Sequence, residues 1–464
     1  MTRVLKTGLV LAMVFGVVWL AVIIWWQESH TLPTGVDIGL YLFALPLALI
    51  AAGWAGKRIV RSRREARANP APAATDGDGQ TAPATPATAR LVVLASTARA
   101  ALGNDPASIH AAVAEQQRPA LDVSLINAKG FPIFAARAAH LDTELLRDAA
   151  AGQQAPQAAL AEDIVRATAL LADVVQTLSQ EARARVLDSG TPERDDAWPL
   201  LQLELALPVQ WPEAARDHAC KQARAAAVWP DSRLGMRPHA AKTALDSDSL
   251  LRQLAQEPLT PAIATLRLVA AADSYIDANR VQDWEQQGAL AGNATPQGRI
   301  PGEAAAGLLV DLALGRQDAA TPVAPPDGAM TLTLSPTAQR ATAADARGAL
   351  NEPMLAALAT QFLERHAQPA DAIAALVSDA DHRGSRPLEA AGLASTLFPK
   401  LDPNQDCLAV GAACGYTGAA SHLLTLVVAN EACAQMEGPV LVVLTQDPAL
   451  RACALIAPAL SPSA

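Results

Sequence analysis

Two long apolar runs near the N-terminus constrain this chain more than any other feature of its sequence. The first covers residues 8–26 (GLVLAMVFGVVWLAVIIWW), 19 positions without a charged side chain. A helix rises about 1.5 Å per residue, so this run spans a hydrocarbon core of about 30 Å. The second covers residues 36–56 and contains one acid, Asp37, near its start. Because no small-residue cleavage site follows the first run, we predict a hairpin of two transmembrane helices within residues 1–67 rather than a signal peptide.

Basic residues flank both outer ends of the predicted hairpin. Arg3 and Lys6 precede the first helix, and six basic residues follow the second between positions 57 and 67. Because positive flanks stay in the cytoplasm, both ends of the hairpin are predicted to lie inside. We therefore expect a bacterial inner-membrane protein with a cytoplasmic N-terminus and a cytoplasmic C-terminal body, and with the lipid bilayer as one partner. The basic residues either only set this topology or also bind anionic lipid headgroups.

Composition changes after these basic residues. Residues 68–90 are rich in Pro, Ala and Thr, which predicts a disordered linker because such a segment cannot bury enough apolar surface to fold. From residue 68 onward the chain holds 28 basic and 43 acidic side chains. This acidic balance argues against a nucleic-acid partner, since phosphate binding needs a basic face. Five cysteines without paired short spacings argue against a disulfide framework and a metal site, and no cofactor is expected.

Short apolar runs alternate with alanine-rich stretches from residue 91 onward. Buried strands are predicted at residues 91–94 (LVVL), 268–272 (LVAAA) and 440–444 (VLVVL). Helices are predicted at residues 162–182 and in the short segment between Pro261 and residue 268. Strands that alternate with helices imply an α/β layered body with covered sheets. A proline-rich stretch near residues 322–326 divides this body into two parts.

Four segments of the body follow one another in an informative order. They are residues 268–290 (LVAAADSYIDANRVQDWEQQGAL), 300–306 (IPGEAAA), 377–389 (VSDADHRGSRPLE) and 414–421 (CGYTGAAS). The first two resemble a strand ending in Asp-Ser and a Pro-Gly-Glu-Ala-Ala turn in the thiolase-like superfamily of β-ketoacyl synthases. The last two occupy the places of that family's His-Gly-Thr-Gly-Thr loop and its Gly-His-x-x-Gly-Ala-Ala turn. The resemblance extends over residues 91–456.

This resemblance implies an α/β fold in which a thiolase-like αβαβα layered duplication follows the transmembrane hairpin. The first half would comprise residues 91–320 and the second half residues 321–464. It also implies a homodimer and a Cys nucleophile at the start of a buried helix. Two His, or His and Asn, would support malonyl decarboxylation beside that Cys. Enzymes of this kind act on thioesters of acyl-carrier protein or coenzyme A.

The three catalytic residues that the resemblance implies are absent from this sequence. The nucleophile should stand within residues 234–243 (LGMRPHAAKT), which contain no cysteine. Ser378 stands where the first His belongs, and Gly415 stands where the second belongs. His382 is displaced by four residues from the first of these positions. Three departures at three positions predict a body that has lost condensation chemistry, because activity resides in sites rather than in folds.

Other side chains offer candidates for a different chemistry. His382 with Asp379 and Asp381 is a candidate acid–base cluster, and Ser378 is a candidate nucleophile. The alternative is a polar loop in which arginines pair with these carboxylates. Cys414 is a candidate relocated nucleophile, and the alternative is a buried apolar thiol.

Three more residues are candidates for lining a residual acyl pocket. His239 falls in the vacant nucleophile region, and the favoured alternative is a packed or exposed histidine. Asp273 ends the Asp-Ser strand. Glu303 belongs to the PGE turn, where a structural role, holding the turn through backbone N–H groups, is the alternative.

The sequence leaves two functional hypotheses open. In the first, the chain is a non-catalytic, inner-membrane-tethered scaffold or adaptor for a cytoplasmic protein partner, with bacterial secretion as one setting. In the second, it is a divergent acyltransferase or an acyl-thioester-binding protein that acts on acyl-carrier-protein or coenzyme A thioesters.

Overall fold

The computed structural model describes residues 89–141, 160–190, 192–258, 264–315, 324–346 and 353–459. The predicted transmembrane hairpin and nearly all of the predicted linker lie outside these residues. Within them, no helix has both the length and the apolar character that a membrane crossing requires. The linker prediction runs two residues too far, because Ala89 and Arg90 already belong to the first strand and pair with Leu334 and Thr333.

Strands and helices alternate along the described residues. The strands are β1 (Ala89–Ala100), β2 (Ala120–Ile126), β3 (Pro132–Ala135), β4 (Leu200–Pro208), β5 (Leu234–Ala241), β6 (Thr265–Ser274), β7 (Glu303–Asp311), β8 (Met330–Leu334), β9 (Ala338–Gln339), β10 (Ala375–Ser378), β11 (Cys407–Ala409), β12 (Val440–Leu444) and β13 (Leu450–Pro458). The α-helices are α1 (Pro106–Ala114), α2 (Glu162–Asp188), α3 (Glu213–Ala226), α4 (Ala244–Gln256), α5 (Ala278–Gln286), α6 (Leu312–Gly315), α7 (Met354–Arg365), α8 (Ser385–Leu397), α9 (Val410–Cys414) and α10 (Ser421–Met436).

The structure agrees with most of the elements expected from apolar periodicity and corrects one. Residues 440–444 form β12, which is buried at every position, as expected for a strand covered on both faces. Residues 162–182 lie within α2. The strand expected at residues 268–272 is confirmed as part of β6, but the helix expected just before it is wrong, because β6 already begins at Thr265. Pairing with a neighbouring strand on each side, β4 and β7, includes residues 265–267 in the strand.

Within the described residues, the main sheet has 11 strands: two sets of five with the same order, and the short strand β9, which pairs with β13 beside them. Along the sheet the order is β11-β10-β12-β13-β8-β1-β7-β6-β4-β5. When the five strands of a set are numbered in chain order, both sets follow the order 3-2-4-5-1 from the outer edge of the sheet to its centre. The fifth strand, β7 or β13, is antiparallel to its neighbours. The sets join where β1 and β8 pair antiparallel, with Leu91 opposite Leu332. The predicted boundary at 320/321 falls in residues 316–323, outside the described residues.

Helix α10 lies between the two sets of strands. It is buried over most of its length and packs against β1 and β7 of the first set, β10, β12 and β13 of the second, and helix α4. Helix α2 covers the opposite face of β6 and β7, and α7 covers β13. Helices therefore cover both faces of each set of strands. The fold is a mixed α/β duplication with a central helical layer.

Candidate functional site

Segments from both halves meet at the carboxyl end of β6, around Asp273. Its carboxylate accepts hydrogen bonds from the Ala419 backbone N–H at 3.0 Å and from the Tyr275 hydroxyl at 3.1 Å. The backbone N–H of Ser274 donates to it at 3.0 Å. Ala419 lies in the 3-10 turn before α10, so this carboxylate ties the first half to the second. Gly418 in that turn has φ of +50°, and a Cβ there would overlap the Asp273 carboxylate, so this close approach requires glycine.

An aromatic cluster covers this carboxylate. The Tyr275 ring lies 4.7 Å from that of Trp284 and 4.9 Å from that of Tyr416, measured between ring centres. The Arg299 guanidinium stacks 4.4 Å above the Tyr416 ring, a cation–π arrangement. The Tyr416 backbone N–H donates to the carbonyl of Ile300 at 2.8 Å. The CGYTGAAS turn therefore docks on the IPGEAAA segment.

Glu303, at the start of β7, is the acceptor for a second buried network. Arg166 of α2 donates to it twice, from Nε at 2.8 Å and from Nη2 at 2.6 Å. The backbone N–H of Ala138 donates at 2.6 Å and the Ser274 hydroxyl at 3.1 Å. Bidentate arginine–carboxylate pairs of this kind are strong and directional. Ser274 links Glu303 to the neighbouring Asp273, so these two predicted residues do lie together.

Burial controls the electrostatics at this site. It raises the pKa of Asp273 to about 7, although the bonds from Ala419, Tyr275 and Ser274 oppose that shift. Burial likewise raises the pKa of Tyr275, and the adjacent Asp273 carboxylate adds to the effect. The exposed fractions of Asp273, Tyr275 and Glu303 are 1%, 9% and 0%. Asp273 and Tyr275 therefore tie the first half to the second, Glu303 ties α2 to β7 within the first half, and in this conformation all three are closed to solvent.

Helix α4 begins directly after residues 234–243, where the resemblance places a nucleophile. Its N-cap is Thr243, which forms a capping box with Asp246. The Asp246 carboxylate accepts from the backbone N–H groups of Thr243 at 2.9 Å and Lys242 at 2.7 Å. The first helical residue is Ala244. The polar groups at this helix end are thus engaged in capping, and no thiol is present there.

Ser378, Cys414 and Gly415 are likewise placed for packing rather than for reaction. The Ser378 hydroxyl is buried and donates to the carbonyl of Leu408 at 3.3 Å. Cys414 is fully buried, and burial raises the pKa of its thiol to about 12. A thiol must ionise to attack, so this environment opposes a nucleophilic role. Gly415, with φ of +68°, offers no side chain in place of the second His.

The loop that contains His382 favours the polar-network interpretation. Asp381 pairs with Arg383 at 2.7 Å. Asp379 accepts from the backbone N–H of Thr445 at 2.5 Å and from that of the next residue at 3.0 Å. Both carboxylates are thus committed to partners other than His382. The His382 side chain is half-buried, and burial lowers its pKa, which opposes the charged form.

His239 lies apart from Asp273, on strand β5, which β4 separates from β6. Its Nε2 is 2.6 Å from the Glu204 carboxylate of β4, which also binds Arg267 at 2.8 Å. About a third of the histidine side chain is exposed, 34%. The structure therefore places His239 in a charged cluster on the edge strand.

The sequence interpretation missed the residues that complete the buried site. Arg166 has a detectable signal, since it is a single basic residue in the apolar run EDIVRATALL at the start of α2. A charged residue on a buried helix face requires a partner. Tyr416 and Trp284 carry no comparable signal, because aromatic residues far apart in sequence give no local pattern.

Solved structures with the same fold include several ketosynthases. The ishigamide ketosynthase/chain length factor aligns with a TM-score of 0.50 and 16% identity, covering 80% of this chain and 99% of that one. The ketosynthase from module 6 of the bacillaene synthase of Bacillus subtilis 168 aligns at 0.51 with 12% identity, covering 81% and 73%. The ketosynthase AntDE, in complex with the type II polyketide synthase acyl-carrier protein AntF, aligns at 0.52 with 10% identity, covering 79% and 99%.

By sequence, no protein-family model and no curated protein matches the chain. The structural similarity at these low identities establishes the fold. The described body therefore has the thiolase-like fold of ketosynthases, as the sequence resemblance implied.

Proposed function

We propose that this chain is a non-catalytic protein, tethered to the bacterial inner membrane, whose thiolase-like body acts as a scaffold or adaptor for a cytoplasmic partner. One observation carries the proposal: the occupants of the three positions at which the resemblance implies catalytic side chains. Residues 234–243 contain no thiol and end in a helix cap, Ser378 donates to a backbone carbonyl, and Gly415 has no side chain. A fold without its reacting groups can still serve through the surfaces that it presents to partners.

The buried groups near those positions support the same conclusion. The pKa of Cys414 is raised to about 12 by burial, so the thiolate is scarce at neutral pH. Asp273 and Glu303 are engaged in bonds between elements and are closed to solvent. The structure thus favours roles in stability for these two candidates.

The membrane part of the proposal comes from the sequence of residues 1–67. Two apolar runs of membrane-spanning length, with basic residues at both outer ends, favour a hairpin with the body in the cytoplasm. Handling a cargo or effector of a secretion machine is a role that such an anchor and body would suit. Formation of a homodimer is part of the proposal only through the resemblance.

The test is a comparison of the full chain with its Ser378→Ala, His382→Ala and Cys414→Ala triple variant. Both are captured from native membranes in mild detergent, and co-purifying proteins are identified by mass spectrometry. We expect one stoichiometric partner with both proteins, and no release of coenzyme A from malonyl- or acyl-coenzyme A. A ketosynthase assayed in parallel shows that release is detectable. The proposal is contradicted if the triple variant no longer captures the partner while its melting temperature is unchanged.

An acyl-thioester-binding function is the second candidate. The observation that favours it is the fold shared with AntDE, which was solved in complex with an acyl-carrier protein. This hypothesis predicts that the partner captured above is an acyl-carrier protein bearing an acyl chain. It also predicts that an acyl thioester raises the melting temperature of the chain. Neither effect is expected of an adaptor for an unrelated protein.

A further inference from the structure

One surface hairpin carries most of the large apolar side chains that are exposed among the described residues. Nine such residues are exposed in total. Five of them belong to β2, β3 and the turn between these strands: Leu121, Val123, Ile126, Phe131 and Phe134, with exposed fractions from 53% to 83%. The other four, Leu187, Val209, Leu388 and Met436, lie on separate elements. The hairpin of residues 120–135 is therefore a concentrated apolar surface.

The hairpin presents this surface from a fixed base. Its inner face, including Leu125 and Ile133, packs in a cluster with Trp284. At the turn, the Asn127 side-chain oxygen accepts from the backbone N–H of Phe131 at 3.0 Å. The exposed apolar side chains are thus held outward by the fold, and their exposure does not arise from a loose loop.

The charge pattern distinguishes this surface from the rest of the acidic body. Residues 123–136 contain one charged side chain, Lys129 at the exposed turn, and no acid. The nearest acid in the hairpin, Asp122, is 8% exposed and pairs with Arg137 at 2.6 Å. The hairpin itself therefore presents apolar groups and a single positive charge, and the neighbouring Glu285 carboxylate of α5 accepts from the backbone N–H of Ala128 at 2.7 Å.

The size of the surface argues against a stable protein interface formed by the hairpin alone. Five side chains exposed to this extent present on the order of 500 Å² of apolar area, within the range of functional surface patches. A standard protein–protein interface buries about 800 Å² on each partner. The patch is large enough for a second contact that adds to the proposed membrane tether, because the tether makes this second contact effectively intramolecular.

We propose that the outer face of residues 120–135 inserts into the interfacial region of the lipid bilayer and docks the body on the membrane. The inference rests on the proposed membrane tether. Apolar side chains beside a basic residue favour the zone between headgroups and acyl chains. The lysine at the turn meets the negative surface of the cytoplasmic leaflet. A docked body holds one orientation toward the membrane, whereas a body on a linker alone does not.

The linker is long enough for this arrangement. Strand β1 runs from Ala89 to Ala100, and its far end pairs with Ala304. The hairpin lies near that far end, because Ala136 bridges to Gly302. Twelve residues of strand span about 36 Å, which is the distance that the linker covers when β1 stands along the membrane normal. The 21 residues 68–88 extend to about 65 Å when Pro-rich and extended.

The experiment places the photo-crosslinker p-benzoylphenylalanine at Phe131 of the full chain in bacterial membranes. The matched control places it at Leu388, which is 58% exposed on helix α8. After illumination, adducts are identified by mass spectrometry. We expect a phospholipid adduct at position 131 and none at position 388. The further changes Val123→Asp and Phe134→Asp are expected to abolish the adduct at position 131, whereas Leu388→Asp leaves it unchanged.

Linker length provides a second, independent perturbation. Deleting residues 69–84 leaves five linker residues, which extend to about 16 Å, well short of that distance. The lipid adduct at position 131 should then be lost, and refilling the gap with the same number of Gly and Ser residues should restore it.

Two kinds of result would overturn the inference. An adduct at position 131 to a protein, or to a second copy of the chain, would assign the hairpin to a protein interface instead. An absent lipid adduct in a chain that resists alkaline extraction would refute docking while leaving the tether intact. A chain that alkaline carbonate releases from the membrane would refute the tether, and the docking with it.

Discussion

The ion pair between Glu303 and Arg166 offers the sharpest test of the buried site. Both side chains are closed to solvent, with exposed fractions of 0% and 1%. Glu303→Gln preserves the shape of the side chain and removes its charge. Arg166 would then keep its bond to the carbonyl of Ala138 and its distant pairing with the part-exposed Glu162 at 4.0 Å, but it would lose its fully buried carboxylate partner. The variant therefore tests the charge of Glu303 separately from the volume of its side chain.

The expected loss follows from the burial of the pair. Removing one partner of a buried ion pair costs about 3–5 kcal/mol, because an uncompensated charge remains inside the protein. The unfolding entropy is about 2.1 cal/mol/K per residue, or roughly 0.8 kcal/mol/K for a body of about 370 residues. The melting temperature should therefore fall by roughly 4–6 °C, as worked from these values.

The assay is a thermal melt of the full chain in one detergent. The control is Asp371→Asn, which breaks the exposed pair with Lys400 at 3.3 Å and should cost about 1 kcal/mol or less. The double variant Glu303→Gln with Arg166→Met removes both charges of this pair, so it should lose less stability than Glu303→Gln alone. The prediction is wrong if Glu303→Gln has the same melting temperature as the control. It is also wrong if the double variant loses as much stability as the single variants Glu303→Gln and Arg166→Met lose together.

Three further predictions concern the same region. Burial raises the pKa of Asp273 to about 7, so the folded chain keeps a proton that the unfolded chain releases near pH 4, and this contribution to stability is lost as the pH rises toward 7. Asp273→Asn should therefore gain in melting temperature relative to the wild type between about pH 5 and about pH 8, and parallel melts that show no such gain would contradict the raised pKa. Gly418→Ala should cost about 2 kcal/mol or more, since a Cβ overlaps a carboxylate at positive φ. Its control Gly392→Ala meets no atom within 4 Å and should be neutral or stabilising in the same melts. Cys414 should resist a maleimide reagent in the folded chain and react after unfolding, as mass spectrometry of its proteolytic peptide would report, because the thiol is fully buried with a pKa raised to about 12.

Local patterns in the sequence account for much of the fold. The continuous apolar run at residues 440–444 predicts a buried strand, and every position of β12 is buried in the structure. The amphipathic repeat at residues 162–182 likewise predicts α2. The error after Pro261 concerns residues 265–267 (TLR), which pairing with β4 and β7 makes part of the strand that the apolar run at residues 268–272 predicts.

The site was less accessible to such reasoning. The sequence does show that two functional groups are missing from the positions that the resemblance implies: residues 234–243 contain no cysteine, and position 415 is a glycine. The contacts that occupy the site are not visible. Arg166 and Glu303 are 137 positions apart, and Asp273 and Ala419 are 146 apart. No local periodicity encodes such pairings, so only the fold reveals what the buried candidates bind.

The central position of β1 has a consequence for synthesis of the chain. This strand is the first of the main sheet in sequence, yet both its neighbours, β7 and β8, come from far along the chain, as in the contact of Arg90 with Thr331, 241 positions later. At about 5–20 residues per second, the ribosome needs roughly 12–48 s to deliver that partner. Throughout this interval an apolar strand with two unpaired edges waits near the translating ribosome, and such edges recruit other chains. We expect this waiting time, rather than the stability of the finished sheet, to set how readily the protein aggregates when it is overproduced.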